Sequence, residues 1–131
     1  MTPHGDESQE HVLDRHVFEE LIATLGNDTT RLRNVYRKFV DSTLARLAEL
    51  RHQSVIDSAA TFHALKGSAS MVGANRLAAL AAQFQDAAPG LDNETKVSAV
   101  GALESELALF RSALGPLLES LSSPPQDSEP V

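Results

Sequence analysis

From residue 14 to residue 121 the apolar residues return every three or four positions, and nowhere do they alternate as a half-buried strand would. That rhythm restricts the chain to helices, and glycine and proline divide it into segments. Residues 14–25 carry Val17, Phe18, Leu21, Ile22 and Leu25, with Asp14 as candidate N-cap and Gly26 as stop. Asp28 or Thr29 caps a second helix that reaches residue 51, with Leu32, Val35, Phe39, Leu44, Leu47 and Leu50 in its stripe. Ser54 opens a third, which extends to residue 72 and closes at Gly73. A fourth covers residues 75–87 and stops near Pro89 and Gly90. Asp92 or Asn93 opens a fifth with Val97, Val100, Leu103, Leu107, Phe110 and Leu114, and Gly115 and Pro116 are expected to kink or end it before Leu121.

Four long amphipathic segments joined by short turns predict an all-α fold: an antiparallel four-helix bundle with an additional short N-terminal helix laid across it. The 131 residues suffice for one domain. The polar start MTPHGDESQE and the proline-bearing, acidic end SSPPQDSEPV can bury little. Residues 1–11 are therefore expected as a flexible segment, 12–121 as the bundle, and 122–131 as a disordered tail. Aromatic residues make up only 5% and Trp is absent, which favours closely approaching helices over a sandwich of sheets. The alanine-rich stretch 77–88 suits such an approach and follows directly on the third helix.

A net charge of −7 argues against nucleic acid and against an anionic membrane surface, both of which call for a basic face. With no Cys there is no disulfide, no thiolate nucleophile and no Cys-based zinc site. No apolar run is long enough to span a bilayer, and no charged-then-apolar leader begins at Met1. A monomeric cytoplasmic protein is the expectation.

Within the third helix, residues 61–74 read TFHALKGSASMVGA. His63, Lys66 and Gly67 share one helical face at i, i+3 and i+4, and Ser70 continues it. The core stripe, formed by Val55, Ser58, Phe62, Leu65, Ala69 and Val72, lies roughly 120° from His63, so the imidazole is expected to face solvent. A lone histidine on a helix is ordinarily a surface residue without a role. The glycine argues otherwise: inside a helix it costs about 0.5–1 kcal/mol relative to alanine, and a solvated surface has no need of it.

The stretch HALKGSASMVGA resembles the signature of histidine-containing phosphotransfer (HPt) domains, approximately H-x-L-K-G-S/A-x-x-x-x-G-A/L. His63, Leu65, Lys66, Gly67, Ser68, Gly73 and Ala74 match it, and RLAALAAQFQDAA on the fourth helix is similar to the family's leucine- and alanine-rich segment. The likeness runs over residues 12–118 and departs at Phe62, where small residues are common. It implies that His63 is the phosphoacceptor, taking a phosphoryl group from the aspartate of a receiver domain and passing it to another receiver. Response regulators and hybrid sensor kinases carry such receivers. It further implies that Lys66 attracts the phosphoryl oxygens, that Gly67 clears space beside the ring, and that Gln85 hydrogen-bonds the imidazole and orients it with Nε2 outward. Any Mg²⁺ is expected on the receiver; no cofactor or metal site is legible in this chain.

Other features are quieter. His4, His11, His16 and His52 are expected to be solvated, and the five-residue spacing of His11 and His16 misses that of a helical metal pair. Glu19, Glu20, Glu104 and Glu106 resemble ordinary helix-surface charges. GNDTTR and GANRLA lack the arrangement of a nucleotide-binding loop, so no kinase activity is expected. Ser68 and Ser70 lie near His63 without an acid to complete a hydrolytic triad. The competing reading is a helical module that docks a receiver or kinase and regulates it without being phosphorylated; an enzyme using His63 as general base is weaker still. The apolar stripe of the first helix is wider than a covering helix needs, so Ile22, with Val17 or Leu21, is expected to stand exposed beside the His63 face as a docking patch.

Overall fold

The computed structural model describes residues 12–122; the segment expected to be flexible at 1–11, with His4 and His11, and residues 123–131 of the expected tail lie outside the described residues. Helix α1 (Arg15–Thr24) starts because the Asp14 carboxylate accepts the backbone N–H groups of His16 at 3.0 Å and Val17 at 3.3 Å. It ends where Gly26 adopts φ +71° and Asn27 N–H reaches back to the Ile22 carbonyl at 2.8 Å. The α2 helix (Thr29–Leu50) is capped by Asp28, which accepts Arg31 N–H at 3.1 Å. Ser54 caps α3 (Val55–Met71) by accepting Asp57 N–H at 3.2 Å. After α4 (Asn75–Ala87) a 3-10 turn over Ala88–Gly90 leads to α5 (Asn93–Ser122). Asp92 accepts Thr95 N–H at 2.7 Å at that last start. Hydrogen bonding from the Thr95 side chain, and then from its backbone, holds the Asp92 carboxyl below its ordinary pKa.

Helices α2, α3, α4 and α5 form a ring in which each packs on the next and α5 closes against α2. This is the expected bundle, with α1 laid against α2. Asp14 also ties α1 to the α3–α4 turn: its N–H donates to the Gly73 carbonyl at 2.8 Å, and its carboxylate accepts the Asn75 amide at 3.2 Å. The α3–α4 contact is the most extensive, because buried Ala69, Ala74, Ala78 and Ala81 let the two backbones approach. Phe110 fills the centre against Phe39 and Tyr36, at ring separations of 5.4 and 6.0 Å. The Tyr36 hydroxyl donates to the Val72 carbonyl at 3.3 Å, and burial pushes its pKa well above the ordinary value.

Several expectations are corrected. Leu44 and Val97, read as stripe residues, are 44% and 51% exposed. In the first turn of α5 the inward position belongs to Lys96, whose ammonium donates to the Gln53 carbonyl; Gln53 Oε1 in turn accepts the Thr61 hydroxyl at 2.8 Å. Glu106 is not a plain surface charge, since it bridges α5 to α4 through Arg76 at 2.6 Å and its other oxygen is buried without a partner. Helix α5 runs through Gly115 and Pro116 to Ser122. Pro116 and Ser112, whose carbonyl Pro116 cannot bond, both lie on the exposed side of the helix and not in the core. Along α1 only Phe18 is fully buried; Val17, Leu21 and Ile22 are half-buried, with Leu21 and Ile22 packed against the core.

Candidate functional site

Helix α3 divides its residues between two faces. Ser58, Phe62, Leu65, Ala69 and Val72 are buried, as the stripe predicts, and Phe62 is fully enclosed with its ring 5.7 Å from that of Phe84 on α4. The aromatic residue at the position where the signature has small ones is thus a core anchor between α3 and α4. His63, one residue on and about 100° round the helix, is exposed.

Gln85 on α4 is brought to the imidazole. Its side-chain amide lies 3.2 Å from His63 Nδ1, a hydrogen bond whose direction follows the tautomer of the ring. Gln85 is half-buried on α4, and its contact is with Nδ1; among the described residues Nε2 has no hydrogen-bond partner. Lys66 is exposed, and its ammonium pairs with nothing among the described residues. A Cβ built at Gly67 meets no atom within 4 Å. Among the described residues no contact therefore requires the glycine, and the space over it is open. Ser70 is exposed on the same face, whereas the Ser68 hydroxyl bonds back to the Ala64 carbonyl at 3.1 Å.

The remaining signature residues act on the fold. Leu65 is in the core. Gly73 has φ +83°, and a Cβ there would meet the Asp14 carbonyl and Val17 at 3.1 Å. Its conformation lets Ala74 N–H bond the Ala69 carbonyl at 2.8 Å and Gly73 N–H the Ser70 carbonyl at 3.3 Å, the paired closure of a Schellman C-terminus. Of the motif, His63, Lys66 and Gly67 face outward, Gly73 and Ala74 build the helix end that leads into α4, and Leu65 and Ser68 stay within the packing of α3.

His16 and His52 are exposed, and His16 pairs with Glu20 at 3.1 Å. Among the described residues no three His, Cys, Asp or Glu side chains gather as a metal site, and no helix is long and apolar enough to cross a membrane. Two large apolar side chains of α3 that the sequence reading passed over stand in solvent: Ile56 is 86% exposed and Met71 74%. Ile56 was legible, because seven residues make nearly two turns and place it in phase with His63.

A family model described as the Hpt domain matches residues 16–120. Neither the curated proteins nor the solved structures hold a match to the chain.

Proposed function

This chain belongs to the Hpt-domain family, the phosphotransfer carriers that interact with receiver domains in two-component phosphorelays, and on that premise we propose that His63 is its phosphoacceptor. The observation that carries the reading is the conjunction at one exposed spot: a hydrogen-bonded imidazole, an ammonium one turn away with no partner among the described residues, and a glycine with open space above it.

In the productive tautomer Nδ1 carries the proton and donates to Gln85, whose amide turns its oxygen toward the ring, and Nε2 keeps an outward lone pair. Nε2 attacks the phosphorus of a receiver's aspartyl phosphate. The N–P bond forms, the P–O bond to the aspartate breaks, and the carboxylate leaves with the electron pair. No proton has to move, because the ring becomes a phosphoimidazolium with Nδ1–H still held by Gln85. An imidazole thus serves without the general base that a hydroxyl would need. Lys66 balances the charge of the transferring group, Gly67 admits the donor's loop, and the receiver supplies Mg²⁺. Transfer to a second receiver is the same step reversed.

The test is incubation with receiver domains loaded by acetyl phosphate and Mg²⁺. The chain should take up phosphate that is acid-labile and alkali-stable, and His63→Gln should take up none. Lys66→Ala should slow uptake about tenfold, the discounted effect of an exposed charge. Acid-labile phosphate on the His63→Gln chain would assign another histidine. Receiver binding without any uptake would make the chain a docking module instead.

A further inference from the structure

We infer that Ile56 and Met71 are the apolar anchors by which a receiver domain docks around His63, with Ile56 the dominant one. The inference rests on the reading of His63 as phosphoacceptor and says where the partner gains its hold. Ile56 lies seven residues before His63, about 10 Å along the α3 axis and within about 20° of the same phase; Met71 lies eight residues after it, about 12 Å along and about 80° round. On α3 itself the stretch between them presents exposed Ala60, Gly67 and Ser70 with Lys66, and Asp86 is exposed next to Gln85 on α4. Asp57 projects about 120° away from His63.

Ile56 and Met71, exposed to 86% and 74%, are the two most exposed of the described large apolar side chains, and both stand on the helix that bears His63. A receiver that brings its aspartate to Nε2 must cover the neighbourhood of His63. Even a transient interface buries on the order of 600 Å² per partner, a disc of about 14 Å radius, which reaches both residues. The other exposed large hydrophobics sit on other helices, Leu44 on α2, which packs against α3, and Val97 and Leu109 on α5. Two side chains set among alanine, glycine and serine make too small an apolar patch for a stable dimer but suit an encounter that must also dissociate. The patch on α1 expected from the sequence is half-buried at Val17, Leu21 and Ile22, so Ile56 and Met71 of α3 are more exposed than it. The receiver that fits presents uncharged, apolar side chains beside its phosphorylated aspartate.

The experiment measures transfer from acetyl-phosphate-loaded receiver domains to the full chain over a range of receiver concentration. Ile56→Gln should raise the half-saturating concentration about tenfold, and Met71→Gln severalfold, with the rate at saturation unchanged. Leu109→Gln on α5 is the control and should match the parent chain. Loading of His63 by phosphoramidate, which needs no docking, should be equal in all four. If the parent chain accepts phosphate from a receiver and Ile56→Gln does so at the same half-saturating concentration, the docking inference fails while the function stands. If the parent takes up phosphate from phosphoramidate but from no receiver, the functional reading fails and takes the inference with it. A parent chain that sediments as a dimer, dissociated by Ile56→Gln, gives the patch to a second copy and overturns the inference.

Discussion

The outer face of α3 and the seam between α2 and α5 are both helix surface, yet they treat their polar groups in opposite ways. Along the seam, cations are engaged inside the molecule. Arg51 pairs with Glu104 at 2.8 Å, Arg33 donates to the Leu118 carbonyl at 2.8 Å, and the Lys96 ammonium is buried against the Gln53 carbonyl. On the face of α3, Lys66 pairs with nothing among the described residues, Gly67 has no neighbour to make room for, and Ile56 stands in water. A bundle stabilised only for itself would place alanine at 67 and a polar residue at 56. The difference is that the seam's cations find partners within the chain, whereas Lys66 on the α3 face finds none among the described residues, which is what the proposed docking of a receiver there would use.

The sharpest way to break this contrast uses two consecutive residues. Phe62→Ala removes a fully buried ring and should cost about 3–5 kcal/mol of stability, whereas His63→Gln should stay within about 0.5 kcal/mol. Urea unfolding of the two variants decides, and a loss above about 1 kcal/mol for His63→Gln would show the α3 face to be structural. Gly67→Gln should separate function from stability. The unfolding free energy should rise by about 0.5 kcal/mol through helix propensity, while uptake from a receiver falls about tenfold because the new side chain fills the space beside the imidazole. Unchanged uptake would mean that the open space has no use.

The smallest effect belongs to the closed core. Burial raises the Tyr36 hydroxyl pKa, so the folded chain keeps a proton that the unfolded chain gives up above about pH 10. Stability from this group is complete below that pH and declines as pH rises past it. In Tyr36→Phe this contribution to the decline should vanish, at a cost of about 1 kcal/mol near neutrality for the bond to Val72. Thermal unfolding between pH 8 and 11 reads both, and equal slopes for the two chains would contradict the assignment.

Much of the site was legible because its parts lie within one turn of each other. His63, Lys66 and Gly67 share a face by spacing alone, and Phe62 turns inward by the same arithmetic. Gln85 is different, for it meets the ring from another helix and was reached only through the family likeness. Ile56 was as legible as Lys66, but an apolar residue reads as core until its exposure is known.

The sequence by itself determined where the first four helices begin and end, to within a residue or two. Asp14, Asp28 and Ser54 cap, and Gly26 and Gly73 close, because those bonds span no more than five residues and need no distant partner. Tertiary structure decided the flanks of each stripe. It took Lys96 inward and left Val97 out because a carbonyl of the α2–α3 turn waits there for an ammonium. It drew Glu106 toward Arg76 across the α4–α5 contact, and it half-covered Ile22 with the core. A residue at the edge of a stripe is buried or exposed according to which neighbouring helix lies over it, and that is set by packing between segments far apart in the chain.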